Sequence, residues 1–196
     1  RIDGGGAVVI HISSGEILAM ASYPTYSPSA FLGGISDANW KKYNVRTKPL
    51  MNRAIQGTYS PGSSFKMIPA IAALTEKKIS INDTVYCSGI YNRAHNPRCW
   101  TYQYSGGGHG SMNVTRALAN SCNVFFYEMG YRLGIDKLEK YTRYFGLGEK
   151  TGVELPGESA GFVASKQTAK EKGEEWTMGG TLSAAIGQSY NSFSPL

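Results

Sequence analysis

Two apolar, partly β-branched runs, Ala7-Val8-Val9-Ile10-His11-Ile12 and Glu16-Ile17-Leu18-Ala19-Met20-Ala21, flank the small residues Ser13-Ser14-Gly15. That pattern predicts a β-hairpin with a tight turn. Tyr23-Pro24-Thr25-Tyr26-Ser27-Pro28 follows, and its two prolines predict an irregular crossing segment. From Ser63 to Glu76 the apolar positions Phe65, Met67, Ile68, Ile71, Ala72 and Leu74 recur at helical spacing behind the breaker pair Pro61-Gly62. Pro69, about two turns in, is expected to kink that helix. Residues 83–110 carry Gly89, Pro97 and Gly106-Gly107-Gly108 and read as a long loop with short strands. Val114 to Leu133 returns to helical spacing as two helices meeting near Asn120-Ser121, the second stopped by Gly134. Asp136 is then expected to cap a helix from Lys137 to Phe145, ended by Gly146. Glu154 to Glu158 reads as a short extended piece and a turn. A strand pair followed by helices predicts an α+β fold, an α/β sandwich in which the hairpin needs further strands to be stable.

Composition narrows the class. The 196 residues are 41% hydrophobic, 12% aromatic and 17% charged, which is globular, and they suffice for one domain or a large part of one. No apolar run approaches the roughly 18 residues that span a bilayer, and residues 1–20 lack a signal-peptide pattern. The net charge of +6 is spread along the chain and gathers into no basic stripe, so no nucleic-acid partner is expected. Residues 1–6, with Gly4-Gly5-Gly6, read as a junction or linker. Cys87, Cys99 and Cys122 include no C-x-x-C pair. Cys87 and Cys99 are left as a candidate pair. With His95 and His109 nearby they suggest a metal site, but the spacing fits no zinc pattern and a turn-rich loop explains them as well, so no metal and no cofactor is expected.

The strongest chemical signal is Ser63-Ser64-Phe65-Lys66 at the start of a predicted helix. A serine hydroxyl is a poor nucleophile until a base takes its proton, and a lysine three residues on lies one turn away on the same face. Alone, S-x-x-K is equally a capping serine and a solvated lysine. A hydroxyl–amide triplet, S-x-N, could relay protons and hold a substrate amide, and it occurs at Ser80, Ser111, Ser121 and Ser189. Only Ser121-Cys122-Asn123 falls at a helix-to-helix junction with Phe125-Phe126-Tyr127 behind it. The other three read as turn or capping residues.

Gly57-Thr58-Tyr59-Ser60-Pro61-Gly62-Ser63-Ser64-Phe65-Lys66 resembles the box around the active serine of penicillin-binding proteins of the monofunctional class B type, and Ser121-Cys122-Asn123-Val124-Phe125-Phe126 resembles their S-x-N box. Gly15 to Pro24, Asn52-Arg53-Ala54-Ile55, Phe145-Gly146-Leu147-Gly148, Leu155-Pro156-Gly157-Glu158 and Ile186-Gly187-Gln188 agree with the same family in family order. Lys150-Thr151-Gly152 spells the family's third box, K-T-G, but stands before the Ile186-Gly187-Gln188 segment that the true box follows, and Val153 replaces a hydroxyl residue. The resemblance therefore implies that the K-T-G strand, which supplies an oxyanion-hole N–H, comes after Leu196, and that these residues alone turn over poorly.

What the resemblance implies is a penicillin-binding transpeptidase, serine β-lactamase-like fold. Its activity would be D,D-transpeptidation, with Ser63 as nucleophile, Lys66 as base, and Ser121 and Asn123 assisting proton transfer and binding substrate together with Ser63. The implied partners are peptidoglycan stem peptides, β-lactam antibiotics and cell-wall synthesis proteins. The implied place is the extracytoplasmic face of the bacterial membrane, held by an anchor on the parent protein. Water as acceptor, in a serine β-lactamase or D,D-carboxypeptidase, is the alternative within the class. A β-lactam sensor or a non-catalytic scaffold is the alternative outside it.

Overall fold

A computed structural model describes residues 3–196, and the chain folds as two compact units. The fold is α+β, with two antiparallel strand pairs and eight α-helices among the described residues.

Among the described residues the first unit comprises 3–59, 150–160 and 193–196. Its hairpin pairs β1 (Gly5–Ile10) with β2 (Ile17–Tyr23). The predicted hairpin is present, with a longer connection than a tight turn: His11 N–H donates to Glu16 and Gly15 N–H to His11. Residues 1 and 2 of the expected junction lie outside the described residues, whereas Gly5 and Gly6 open β1. Gly6 has a packing reason to lack a side chain, because a Cβ there would stand 2.9 Å from the Arg53 carbonyl carbon. Arg53 itself is buried, its guanidinium spent on the carbonyls of Thr47 and Lys48. Pro28–Phe31 forms a 3-10 turn and α1 (Asp37–Tyr43) is capped by the Ser36 hydroxyl. In the later part of this unit Lys150-Thr151-Gly152 lies on no strand, and its Thr151 hydroxyl, Thr151 N–H and Gly152 N–H all donate to the Glu158 carboxylate. That tripeptide organises a turn.

The second unit, residues 60–149 and 161–192, carries the helical core. Gly62–Lys66 is a 3-10 turn that runs straight into α2 (Met67–Thr75). The predicted kink at Pro69 does not apply: Pro69 is the third residue of α2, in the first turn, where a helix leaves its N–H groups without intrahelical partners. Short strands β3 (Val85–Cys87) and β4 (Gly110–Met112) pair across the long loop, which also contains α3 (Trp100–Ser105). α4 (Val114–Ala119) is capped by the Asn113 side chain and meets α5 (Asn123–Leu133) at the expected junction. Asp136 is not a cap. α6 (Ile135–Tyr144) begins before it with Gly134 at the N-cap, and the Asp136 carboxylate instead accepts from Lys166 at 2.7 Å on the surface. α7 (Lys166–Glu171) and α8 (Met178–Ala184), capped by Ser165 and Thr177, complete the unit.

Helix α5 is the central post, packed by α2, α8 and α6. Phe125, Phe126 and Met129 on it are wholly buried. Truncating one such phenylalanine to alanine typically costs about 3–5 kcal/mol. Gly130 lets α8 approach, since a Cβ there would lie 2.7 Å from the Ala185 methyl. The N-terminus of α5, immediately after Ser121-Cys122, therefore opens the helix that carries the wholly buried core residues Phe125, Phe126 and Met129.

Candidate active site

The four candidate residues converge. Ser63 is the second residue and Lys66 the last of the 3-10 turn, a geometry that eclipses side chains three apart. Gly62 before them adopts φ +57, and Gly187 packs directly on that turn: Gly62 N–H donates to the Gly187 carbonyl at 2.9 Å, and a Cβ on Gly187 would come within 2.1 Å of the Gly62 carbonyl oxygen. No side chain larger than hydrogen fits at position 187. Ser121 sits at φ +49, a left-handed conformation that costs a non-glycine residue about 1–2 kcal/mol. Backbone bonds hold it there, Ser121 N–H to Leu118 and Cys122 N–H to Ala117.

Lys66 is 1% exposed, and its ammonium has all three donors used: the Ser121 carbonyl at 2.8 Å, the Ser121 Oγ at 2.9 Å and the Asn123 Oδ1 at 2.6 Å. The Phe126 ring lies beneath it at 5.6 Å. Ser121 Oγ in turn donates to Ser63 Oγ at 2.9 Å. The connection from Lys66 to Ser63 thus runs through Ser121, a link that S-x-x-K spacing alone does not reveal. Burial lowers the Lys66 pKa to about 8, partly opposed by the sulfurs of Cys99 and Cys122. One unit below that value, at pH 7, about one lysine in ten is a free amine.

These groups open onto a cleft of about 450 Å³ lined by Gly62, Ser63, Trp100, Ser121, Asn123, Ile186 and Gln188. Trp100 is the contributor that sequence reading overlooked. It opens α3, and its indole N–H donates to the Asn120 carbonyl at 3.2 Å, so the long loop reaches the site through a defined contact. Among the other S-x-N matches, Asn113 caps α4, and Asn191 is buried, bridging Ala164 N–H and the Ala184 carbonyl. Neither belongs to the cleft.

Behind Ser121 the structure brings together what the sequence kept apart. Cys87, Cys99 and Cys122 are free and buried, and with His109 they place four metal-competent atoms within 4.8 Å of one another. The wide spacing of these residues gave no sign of this convergence, and His95 takes no part in it. Cys87 and Cys99 form no disulfide. The Cys122 thiol donates to the Cys99 sulfur, and the Val124 and Asn123 amides at the start of α5 point to it as well, which favours thiolate at Cys99 and keeps the proton on Cys122.

The penicillin-binding protein transpeptidase domain model matches residues 5–196. The chain belongs to this family. The transpeptidase domain is 34% identical over 197 residues to the peptidoglycan D,D-transpeptidase MrdA of Haemophilus influenzae, covering 98% of this chain and 30% of that protein. It superposes on the PBP2 chain of the PBP2–MreC complex from Helicobacter pylori with a TM-score of 0.90 at 36% identity, covering 98% of this chain and 36% of that one. It also resembles penicillin-binding protein A from M. tuberculosis, solved as an imipenem acyl-enzyme complex, with a TM-score of 0.78 at 26% identity over 97% of this chain and 43% of that one. The chain thus spans about a third of the length of the curated relatives it matches.

Proposed function

We propose that the protein carrying this domain is a serine D,D-transpeptidase of peptidoglycan synthesis, acylated on Ser63 by stem peptides and by β-lactams. The observation that supports it best is the continuous hydrogen-bond path from Lys66 through Ser121 to Ser63, with Asn123 on the same ammonium.

The path explains how a buried lysine can activate a serine it reaches through another hydroxyl. While Lys66 is an ammonium, its protons run toward Ser121, and Ser121 donates to Ser63. When Lys66 loses a proton, two N–H groups remain for the Ser121 carbonyl and Asn123 Oδ1, and the lone pair accepts the Ser121 hydroxyl proton. Ser121 Oγ is then free to accept from Ser63. As Ser63 Oγ bonds to the carbonyl carbon between two terminal D-alanines, its proton passes to Ser121 and the Ser121 proton to Lys66. Lys66, again an ammonium, returns a proton by the same route to the leaving D-alanine amine. An ester on Ser63 remains. The amine of a neighbouring stem peptide attacks that ester, its proton follows the path to the base, and the Ser63 hydroxyl is restored. A β-lactam follows the first half, its ring C–N bond opening in place of the peptide bond. The Asn123 side chain, which lines the cleft, orients the substrate amide on this reading. No metal takes part in these steps.

Family membership also supports an extracytoplasmic site of action, with the parent protein anchored in the membrane and working beside cell-wall synthesis partners; the Helicobacter pylori relative was solved with MreC. Among the described residues no helix is long and apolar enough to cross a membrane.

Intact-mass spectrometry of the full-length protein after incubation with a penicillin tests the reading. A single covalent adduct on the wild type, absent from Ser63→Ala, is expected. A folded wild-type protein that forms no adduct overturns it.

A further inference from the structure

The long loop that reaches the cleft through Trp100 also lines a second and larger cavity. From Thr84 to Tyr127 the chain contains no aspartate, glutamate or lysine, so its fixed charges are Arg93, Arg98 and Arg116. The chain's 14 carboxylates all lie outside this stretch, which makes the loop's own surface positive. Aromatic residues are interleaved with the arginines: Tyr86, Tyr91, Trp100, Tyr102 and Tyr104.

Arg93 and Arg98 are exposed, and each rests on a tyrosine ring, Arg93 over Tyr131 at 4.2 Å and Arg98 over Tyr102 at 4.9 Å. A guanidinium laid on a ring keeps the donors along its edge, and it loses little freedom when they bond to a planar anion. Among the described residues neither arginine enters an ion pair. Arg132 and Arg143, by contrast, are each paired with a glutamate one turn away. The arginines held in place by aromatic rings are thus ones whose charge the protein leaves unmatched.

Arg93 lines a groove of about 600 Å³, against about 450 Å³ for the reaction cleft. Val124 gives the groove a buried apolar contact, Tyr86 an exposed ring, and Ser88, Asn92 and Glu128 polar groups. The Glu128 carboxylate accepts from Arg132 at 2.7 Å on one oxygen and from the Tyr91 hydroxyl at 2.7 Å on the other. Its charge is balanced, and each oxygen keeps a lone pair for a further hydroxyl. The groove is also continuous with the site in sequence and pairing. Ile90 in the groove is the bridge partner of Arg98, Trp100 two residues on lines the cleft, and Val124 in the groove follows Asn123 in the cleft.

Exposed rings, amide and carboxylate acceptors and unpaired guanidiniums together suit an acidic glycopeptide. Pyranose rings pack their C–H faces on aromatic side chains, and hydroxyl and N-acetyl groups bond to side-chain amides and carboxylates. Peptide carboxylates take paired bonds from arginine. We propose that the groove binds an uncross-linked peptidoglycan strand outside the reaction cleft, with its saccharides against Tyr86 and the carboxylates of its stem peptides on Arg93 and Arg98. The identity of this ligand rests on the transpeptidase reading, whereas the groove and its unmatched charges do not. Holding the strand there raises the local concentration of stem peptides at Ser63 without contact to the reacting bond. An acidic protein surface would also satisfy the arginines, but it leaves the interior of the groove unexplained.

The test uses full-length protein treated with a penicillin, so that the cleft is filled. Its binding to short, end-labelled, uncross-linked peptidoglycan strands is followed by fluorescence anisotropy at low and high salt. Saturable binding that weakens with salt is expected. Arg93→Gln with Arg98→Gln should weaken it about tenfold or more, and Tyr86→Ala about threefold, each variant being checked for folding by thermal melting. Arg93→Gln alone serves if the pair does not fold. Strands stripped of their stem peptides by an amidase, and poly-glutamate, should each bind about tenfold more weakly, because the first lacks the carboxylates and the second the sugars. Unchanged affinity in the arginine variants overturns the proposal, as does a stripped strand that binds like the intact one. Poly-glutamate that competes as well as the strand overturns it in favour of an acidic protein partner. A protein that takes up no penicillin yet binds strands through Arg93 and Arg98 keeps the groove and sinks the Ser63 reading, and an acylated protein that binds no strand does the reverse.

Discussion

The serine–lysine centre and the thiol–imidazole cluster meet at the Ser121-Cys122-Asn123 segment and are built by opposite means. In the first, chemistry is encoded locally: Ser63 and Lys66 share one 3-10 turn, and Ser121 and Asn123 flank one junction. In the second, Cys87, Cys99, His109 and Cys122 come from separate elements and meet only because β3 and β4 pair and two glycines allow their backbones to touch. The first is a network of hydrogen bonds around a charge that must be able to leave. The second is a set of soft donors with no such freedom. A site whose groups must exchange protons profits from neighbours on one turn, whereas a site that only holds tolerates distant contributors.

The sharpest separation of the two is expected from Lys66→Met, which keeps the buried volume and removes the base. Penicillin acylation of the full-length protein should fall by about a thousandfold or more, while the three buried thiols stay as slow toward a thiol reagent as in the wild type. A parallel exposure of the thiols would break the distinction between the clusters. Ser121→Ala comes next. If the proton travels through its hydroxyl, the covalent step slows by about a hundredfold, as for other general-base relays. A rate near the wild type would mean that Lys66 acts on Ser63 directly.

The smallest effect, and the one that reads the charge itself, is on pH. On the proposed reading Lys66 acts as a base only as a free amine, and burial lowers its pKa to about 8 from an ordinary 10.5. The acylation rate should therefore rise about tenfold per unit up to roughly pH 8 and level off above it. A rise that continues toward pH 10 would mean the amine is more hydrated than its 1% exposure implies.

The same contrast explains what the sequence could and could not announce. Ser63, Lys66, Ser121 and Asn123 were legible because helical spacing and a helix junction predict their neighbours, and the hairpin and the α4–α5 junction followed from apolar periodicity. The thiol–imidazole cluster was hidden because its members are widely spaced along a loop, and the β3–β4 pairing that closes it is only three residues long on each strand. Helices α1, α7 and α8 escaped notice for a different reason. Each is six or seven residues, too short for a clear period, and α8 contains Gly179-Gly180, which weakens helix propensity. The readable signals were their caps, Ser36, Ser165 and Thr177. Asp136 misled for the converse reason: a good capping residue stood one turn position inside a helix that Gly134 already begins.

Gly187, pressed against the Gly62 carbonyl, has a bearing on how this surface can vary. A methyl group there acts as a wedge under the turn that carries Ser63, and its φ of +74 disfavours any L-side chain besides. Change in the shape of the cleft therefore finds this position closed and is channelled to residues that line it with larger side chains, Trp100, Ile186 and Gln188.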